Sequence, residues 1–136
     1  MTGPLNGAHA ITKIPASDLD RARRFYRELL GLEPVEERRG GLRYLLGTSE
    51  FHIFASSGEA SGEATQLGFE VPDLDAVVAE LRSRGLRFEN VDMGELDVTD
   101  DIVTVPDNYP SKGAGERGAF FYDSEGNLIA IAQATR

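Results

Sequence analysis

Ala16-Ser17-Asp18-Leu19-Asp20 opens a helical stretch that closes on Gly31-Leu32; the same wording returns as Val71-Pro72-Asp73-Leu74-Asp75, closing on Gly85-Leu86. The Asp-Leu-Asp units are offset by 55 positions and the Gly-Leu units by 54. A unit of this size cannot bury its own apolar face, so two copies are expected to pack as one domain. The duplication also matches residues of one half to residues of the other. A site between the halves can therefore be read position by position.

Outward from the first copy, His9–Pro15 reads as a partly alternating, Ile-rich strand. Ser17 or Asp18 suits a helix N-cap, and Ser17 with Asp20 resembles a capping box with the shorter acid. Leu19, Ala22, Phe25, Tyr26, Leu29 and Leu30 recur at helical spacing, and Gly31 fits the position just past a helix end. Pro34–Arg38, Leu42–Leu46 and Phe51–Ala55 read as strands, with Gly40-Gly41 and Gly47-Thr48-Ser49 as turns. The first module, about 8–56, is thus β-α-β-β-β. A small, polar linker follows over 57–64. The second module, about 65–134, repeats the pattern. Its expected elements are a strand Gln66–Val71, a helix capped by Asp73 with Leu74, Val77, Val78 and Leu81 on one face, and strands Leu86–Val91, Gly118–Tyr122 and Asn127–Gln133. Asp123–Asn127 supplies turn chemistry. The expected fold class is α+β, one domain over 1–136.

The second copy is longer. Matching Phe51-His52-Ile53 to Ile129-Ala130-Ile131, Asp18 to His52 spans 34 positions and Asp73 to Ala130 spans 57, an excess of about 23. The excess falls between Asp92 and Gly118, and the segment 93–117 is expected as an inserted loop closing over a site. Glu95, Asp97, Asp100, Asp101 and Asp107 would make its mouth acidic. Gly113-Ala114-Gly115 is no phosphate loop, since it lacks the strand–loop–helix context and the Lys-Ser/Thr.

Composition narrows the function. No cysteine means no disulfide, thiol nucleophile or Cys-based metal site. Fourteen Lys and Arg stand against 23 Asp and Glu, a net charge of −9, and such a field repels nucleic acid. The acidity serves solubility, or else an acidic cleft for a cationic ligand. No apolar run approaches membrane-spanning length, and Met1–His9 has neither the basic start nor the apolar run of a signal peptide. The expectation is a soluble cytoplasmic protein with no membrane and no nucleic-acid partner.

Ser17–Tyr26, Leu30-Gly31-Leu32, Gly68–Leu74 and Phe120–Asn127 together resemble the vicinal oxygen chelate superfamily of glyoxalases, bleomycin-resistance proteins and extradiol dioxygenases. The resemblance covers nearly the whole chain. It implies two βαβββ modules forming a cupped mixed sheet with helices outside, and commonly a homodimer. It also implies four inward positions, from the first and last strand of each module, that hold a divalent metal in the catalytic members. Here those positions are Ile11, His52, Gln66 and Ala130. Ile11 and Ala130 can donate nothing, and Gln66 is a weak donor. No metal and no other cofactor is therefore expected.

Two alternatives stay open. Strand alternation puts His9 on the face of Ile11 and Glu70 on that of Gln66, so a displaced metal site of His9, His52 and Glu70 is one. A metal-free enzyme with Glu70 or His52 as general base is the other. Of the aromatic residues on strands, Phe51, Phe54, Phe120, Phe121 and Tyr122, half are expected in the core and half in the cup. The leading expectation is a metal-independent protein that binds a small molecule, a drug or metabolite. Its cleft is expected to be lined by His9, Ile11, His52, Phe54, Gln66, Glu70 and Ala130.

Overall fold

The computed structural model describes residues 3–56, 58, 60–91 and 94–136. The first module runs β1 (Thr12–Ala16), α1 (Leu19–Glu28), β2 (Glu36–Arg38), β3 (Gly41–Leu46) and β4 (Ser49–Ala55). The second runs β5 (Thr65–Glu70), α2 (Leu74–Ser83), β6 (Asp97–Thr99), β7 (Ile102–Val105), β8 (Gly115–Tyr122) and β9 (Leu128–Thr135). Both helices start on the Asp of the repeated wording. Asp18 accepts from the Arg21 N–H at 3.0 Å and Asp73 from the Ala76 N–H at 3.1 Å, which satisfies donors the first turn leaves open. Ser17 forms no capping box; its hydroxyl donates to Glu125 instead. Gly31 adopts φ 71°, which turns the chain out of α1 at no steric cost.

The strands form two sheets, ordered β1-β4-β3-β2 and β5-β9-β8-β7-β6. In each, the module's first strand pairs parallel with its last, and the remaining pairs are antiparallel. The duplication is therefore literal: β5, β9, β8 and β7 take the places of β1, β4, β3 and β2, and β6 is added at the edge. The edge strands β1 and β5 lie side by side, so the two sheets adjoin within one chain.

Two expectations are corrected here. Leu86–Val91 forms no strand; among the described residues, it meets β8 through the Glu89 N–H, which donates to the Phe120 carbonyl at 2.8 Å. The segment 93–117 is not one long loop. Met93, like Asp92, lies outside the described residues, but Asp97–Thr99 and Ile102–Val105 pair as a hairpin, and β8 already begins at Gly115. Among the described residues of this segment, 94–96 and 106–114 lie outside the strands and the 100–101 turn. Smaller shifts occur at strand ends; β1 begins at Thr12, so His9 and Ile11 precede it.

Alternation sorts each strand into two faces. Ile14, Leu42, Tyr44, Phe51 and Ile53 from the first sheet, and Ala119, Phe121, Ile129 and Ile131 from the second, turn toward the helices and are buried. Tyr44 and Phe51 stack with ring centroids 4.7 Å apart. Phe25 of α1 stacks on Phe121 of β8 at 6.4 Å, so the modules share one core.

The turn Asp123–Asn127 locks the modules together. The Tyr26 hydroxyl donates to Asp123 at 2.7 Å, with both residues buried. The Asn127 amide donates to the Pro15 carbonyl at 3.0 Å. Glu125, its side chain 1% exposed, accepts from the Ser17 hydroxyl, the Asp18 N–H, Arg21 Nε and Nη2, and the Ser124 hydroxyl. Burial is the largest influence on this carboxyl and would raise its pKa. The bonds from Arg21, Asp18 and Ser124 outweigh burial and hold it at about 2.

Candidate functional site

Because Ile14, Ile53 and Leu42 point to the core, their strand neighbours project from the opposite face of the first sheet. Cross-strand register sets them in rows. Lys13, His52, Arg43 and Glu36 form one row; Pro15, Phe54, Gly41 and Arg38 form the next. Over these rows lies a concavity of about 550 Å³, with Lys13, Arg38, Gly41, Arg43, His52 and Phe54 among its lining. That volume suits a small organic molecule.

Glu50 organises the polar side of this cup. It precedes His52 by two residues on β4, so both share a face. Arg43 Nε donates to Glu50 at 2.9 Å, and His52 Nε2 lies 2.8 Å from the same carboxylate oxygen. His9 Nε2 approaches the other oxygen at 3.4 Å. Arg43 Nη1 also donates to Glu36 at 2.8 Å. The bonds from Arg43 and then His52 hold the Glu50 carboxyl at about 2, far below the usual range. Glu50 and then Glu36 push the Arg43 guanidinium up in turn. The result is a bonded cluster of Arg43, Glu36, Glu50 and His52 beside the apolar ring of Phe54.

Of the residues expected at the site, His52 and Phe54 line this cup, and His9 reaches it through Glu50. Ile11 sits just ahead of β1. Gln66, Glu70 and Ala130 belong to the second sheet. Ala130 lies between Gly68 and Phe120 on a face of small residues that continues through Ala132 and Gly118. The Gln66 side-chain oxygen is buried with no hydrogen-bond partner among the described residues. Glu70 is exposed and ion-paired to Lys112 of the 106–114 loop, so it does not sit in an apolar cup as a general base would. The aromatic residues divide by alternation: Phe51 and Phe121 enter the core, while Phe54, Phe120 and Tyr122 take the opposite face.

The displaced metal set of His9, His52 and Glu70 is not brought together. The two imidazoles converge on Glu50, while Glu70 is held by Lys112. Among the described residues, no group of three His, Asp or Glu side chains is arranged to hold a metal ion. The family's four positions do not fit one either, with one imidazole, one amide and two hydrocarbon side chains. The acidic mouth is also dispersed. Asp100 and Asp101 are engaged by Arg82 at 3.1 and 3.3 Å on the β6–β7 hairpin, and Asp107 accepts from the Asn108 N–H.

Sequence reasoning missed Glu50, Arg43, Lys13 and Arg38. The signal was present in Leu46-Gly47-Thr48-Ser49. A two-residue turn there fixes the β3–β4 register and sets Arg43 opposite His52.

Comparison with known proteins identifies the family and the fold. A family model described as Glyoxalase/Bleomycin resistance protein/Dioxygenase superfamily matches residues 8–131. Among solved structures, a glyoxalase family protein from Bacillus anthracis is similar at 20% identity over 99% of this chain and 100% of that one, with a TM-score of 0.68. TnmS3, an antibiotic binding protein from Streptomyces sp. CB03234, is similar at 24% identity over 94% and 97%, TM-score 0.63. A bleomycin-binding protein solved with bleomycin is similar at 21% identity over 93% and 98%, TM-score 0.64. No curated protein matches the chain. No helix among the described residues is long and apolar enough to cross a membrane.

Proposed function

The chain belongs to the Glyoxalase/Bleomycin resistance protein/Dioxygenase superfamily, and on that premise we propose that it is a metal-independent binding protein. It holds a small organic molecule, a drug or metabolite, in the cup of its first module. The observation that carries this reading is the cup itself, about 550 Å³ with an ion-locked polar row beside an aromatic ring. A few fixed polar groups next to an apolar wall are the usual anatomy of a small-molecule site. The family's metal positions support binding without a metal, because Ile11 and Ala130 carry no donor atom. The antibiotic- and bleomycin-binding structures lend the class of activity, sequestration of a drug, at identities that establish only the fold.

Elemental analysis with native mass spectrometry of the gently purified protein tests this. The expected result is no stoichiometric transition metal, together with saturable binding of an aromatic small molecule. About one zinc, iron, nickel or manganese per chain, lost on His52→Ala, would overturn it.

One observation favours a second reading, a metal-free enzyme. The Glu50 carboxylate fixes the His52 ring 2.8 Å away, the arrangement that orients an imidazole for general acid–base work. Turnover of a bound compound that is abolished by His52→Gln, with binding retained, would promote that reading over sequestration.

A further inference from the structure

The charges around the first cup are unevenly matched. Each carboxylate there has a cationic partner: Glu36 and Glu50 pair with Arg43, and Glu37 with Arg23. Two cations that line the same cavity, Lys13 and Arg38, have no carboxylate or other hydrogen-bond partner among the described residues. This happens in a chain of net charge −9, where acidic groups outnumber basic ones and a partner would be easy to supply. Lys13 stands on β1 and Arg38 on β2, so the cations occupy opposite walls with His52, Arg43 and Phe54 between them.

Arg38 is also held in a particular pose. It sits opposite Gly41 across β2–β3, and a Cβ on Gly41 would lie 3.2 Å from both Arg38 Cγ and Nε. The side chain therefore lies across the strand where the glycine leaves room, in the row that continues to Phe54. A planar guanidinium laid along the cup floor offers its N–H fork to a planar acceptor.

We propose that this cup selects an organic carboxylate, its apolar body against Phe54 and its acid group met by Arg38, with Lys13 on the facing wall. The inference rests on the binding reading above and narrows it. It also reverses the sequence-based expectation of a cationic ligand, because Asp100 and Asp101 are engaged by Arg82 and the cup itself presents the unpaired cations.

The test uses three probes of matched shape: 2-naphthoate, neutral 2-naphthalenemethanol and cationic 2-naphthylmethylammonium. Calorimetry on the full chain at low salt measures all three. Charge-assisted bonds give the acid an expected advantage of roughly tenfold over the alcohol, with the ammonium weakest. In Lys13→Gln/Arg38→Gln the ratio of acid to alcohol affinity falls to about one, and a thermal melt confirms the fold. Added salt narrows the ratio in the parent protein. Equal affinities, a preference for the ammonium, or a ratio that survives the double substitution would overturn the carboxylate inference and leave the binding cup standing. Absence of saturable binding by all three probes at millimolar concentration would remove the cup reading, and this inference with it.

Discussion

Glu125→Gln removes one charge from the seam between the modules. In the parent protein the Glu125 carboxyl titrates at about 2 rather than 4.5. That displacement, at about 1.4 kcal/mol per unit, corresponds to about 3 kcal/mol of preference for the charged form in the folded state. Glutamine keeps a carbonyl for the Asp18 N–H, and the exposed side of Arg21 is hydrated, so the expected loss at pH 7 is about 2–3 kcal/mol. For a chain of 136 residues that lowers the melting temperature by roughly 10 °C. The sign of the pH dependence follows from a depressed pKa. The carboxylate's contribution is complete above about pH 4.5 and disappears as pH falls through about 2, where the protonated acid resembles the amide. Thermal melts of both proteins from pH 7 to 2 should therefore converge at the acid end. An unchanged melting temperature at pH 7, or a difference that does not shrink with acid, would refute the assignment of Glu125 as the clasp.

Three further outcomes are expected. Tyr26→Phe removes one donor from the buried Asp123 carboxylate, whose same oxygen keeps the Asn127 amide, and chemical denaturation should register a loss of about 1–2 kcal/mol. Gly113→Ala places a Cβ 2.5 Å from the Thr135 carbonyl oxygen at a φ of 132°, so the 106–114 loop must shift. A cost of roughly 2 kcal/mol or more, and faster proteolysis within the loop, should follow. We also propose that the chain forms a homodimer. The outer edge strands β2 and β6 are each three residues long and charged, so the second sheet's face of Gly68, Gly118, Ala130 and Ala132 is the better candidate for the contact. Light scattering at micromolar concentration should give twice the chain mass, and a monomer mass would count against it.

The parts of the fold legible in the sequence are those governed by local rules. Asp18 and Asp73 cap helices because their carboxylates satisfy free N–H groups three residues on, a property visible in the Asp-Leu-Asp wording. The β6–β7 hairpin escaped because its turn is Asp100-Asp101, both with positive φ, where Asn-Gly or Asp-Gly is the usual signal. Leu86–Val91 carries strand-like residues, yet among the described residues its backbone bonding to the second sheet is the single Glu89–Phe120 link. At the site, alternation alone suffices to turn His52 and Phe54 from the core. Which cations stay unpaired depends on long side chains meeting across strands, as Arg43 meets Glu36 and Glu50, and that requires the register.

The chain has only two histidines, His9 and His52, so its imidazole NMR spectrum is simple enough to follow each ring during a titration. Titrating the full chain with 2-naphthoate tests the first-module cup most directly. The account predicts that the His52 ring signals shift saturably, with the affinity found by calorimetry and about one ligand per chain. Calorimetric saturation with the His52 signals unmoved would put the ligand elsewhere and contradict the account.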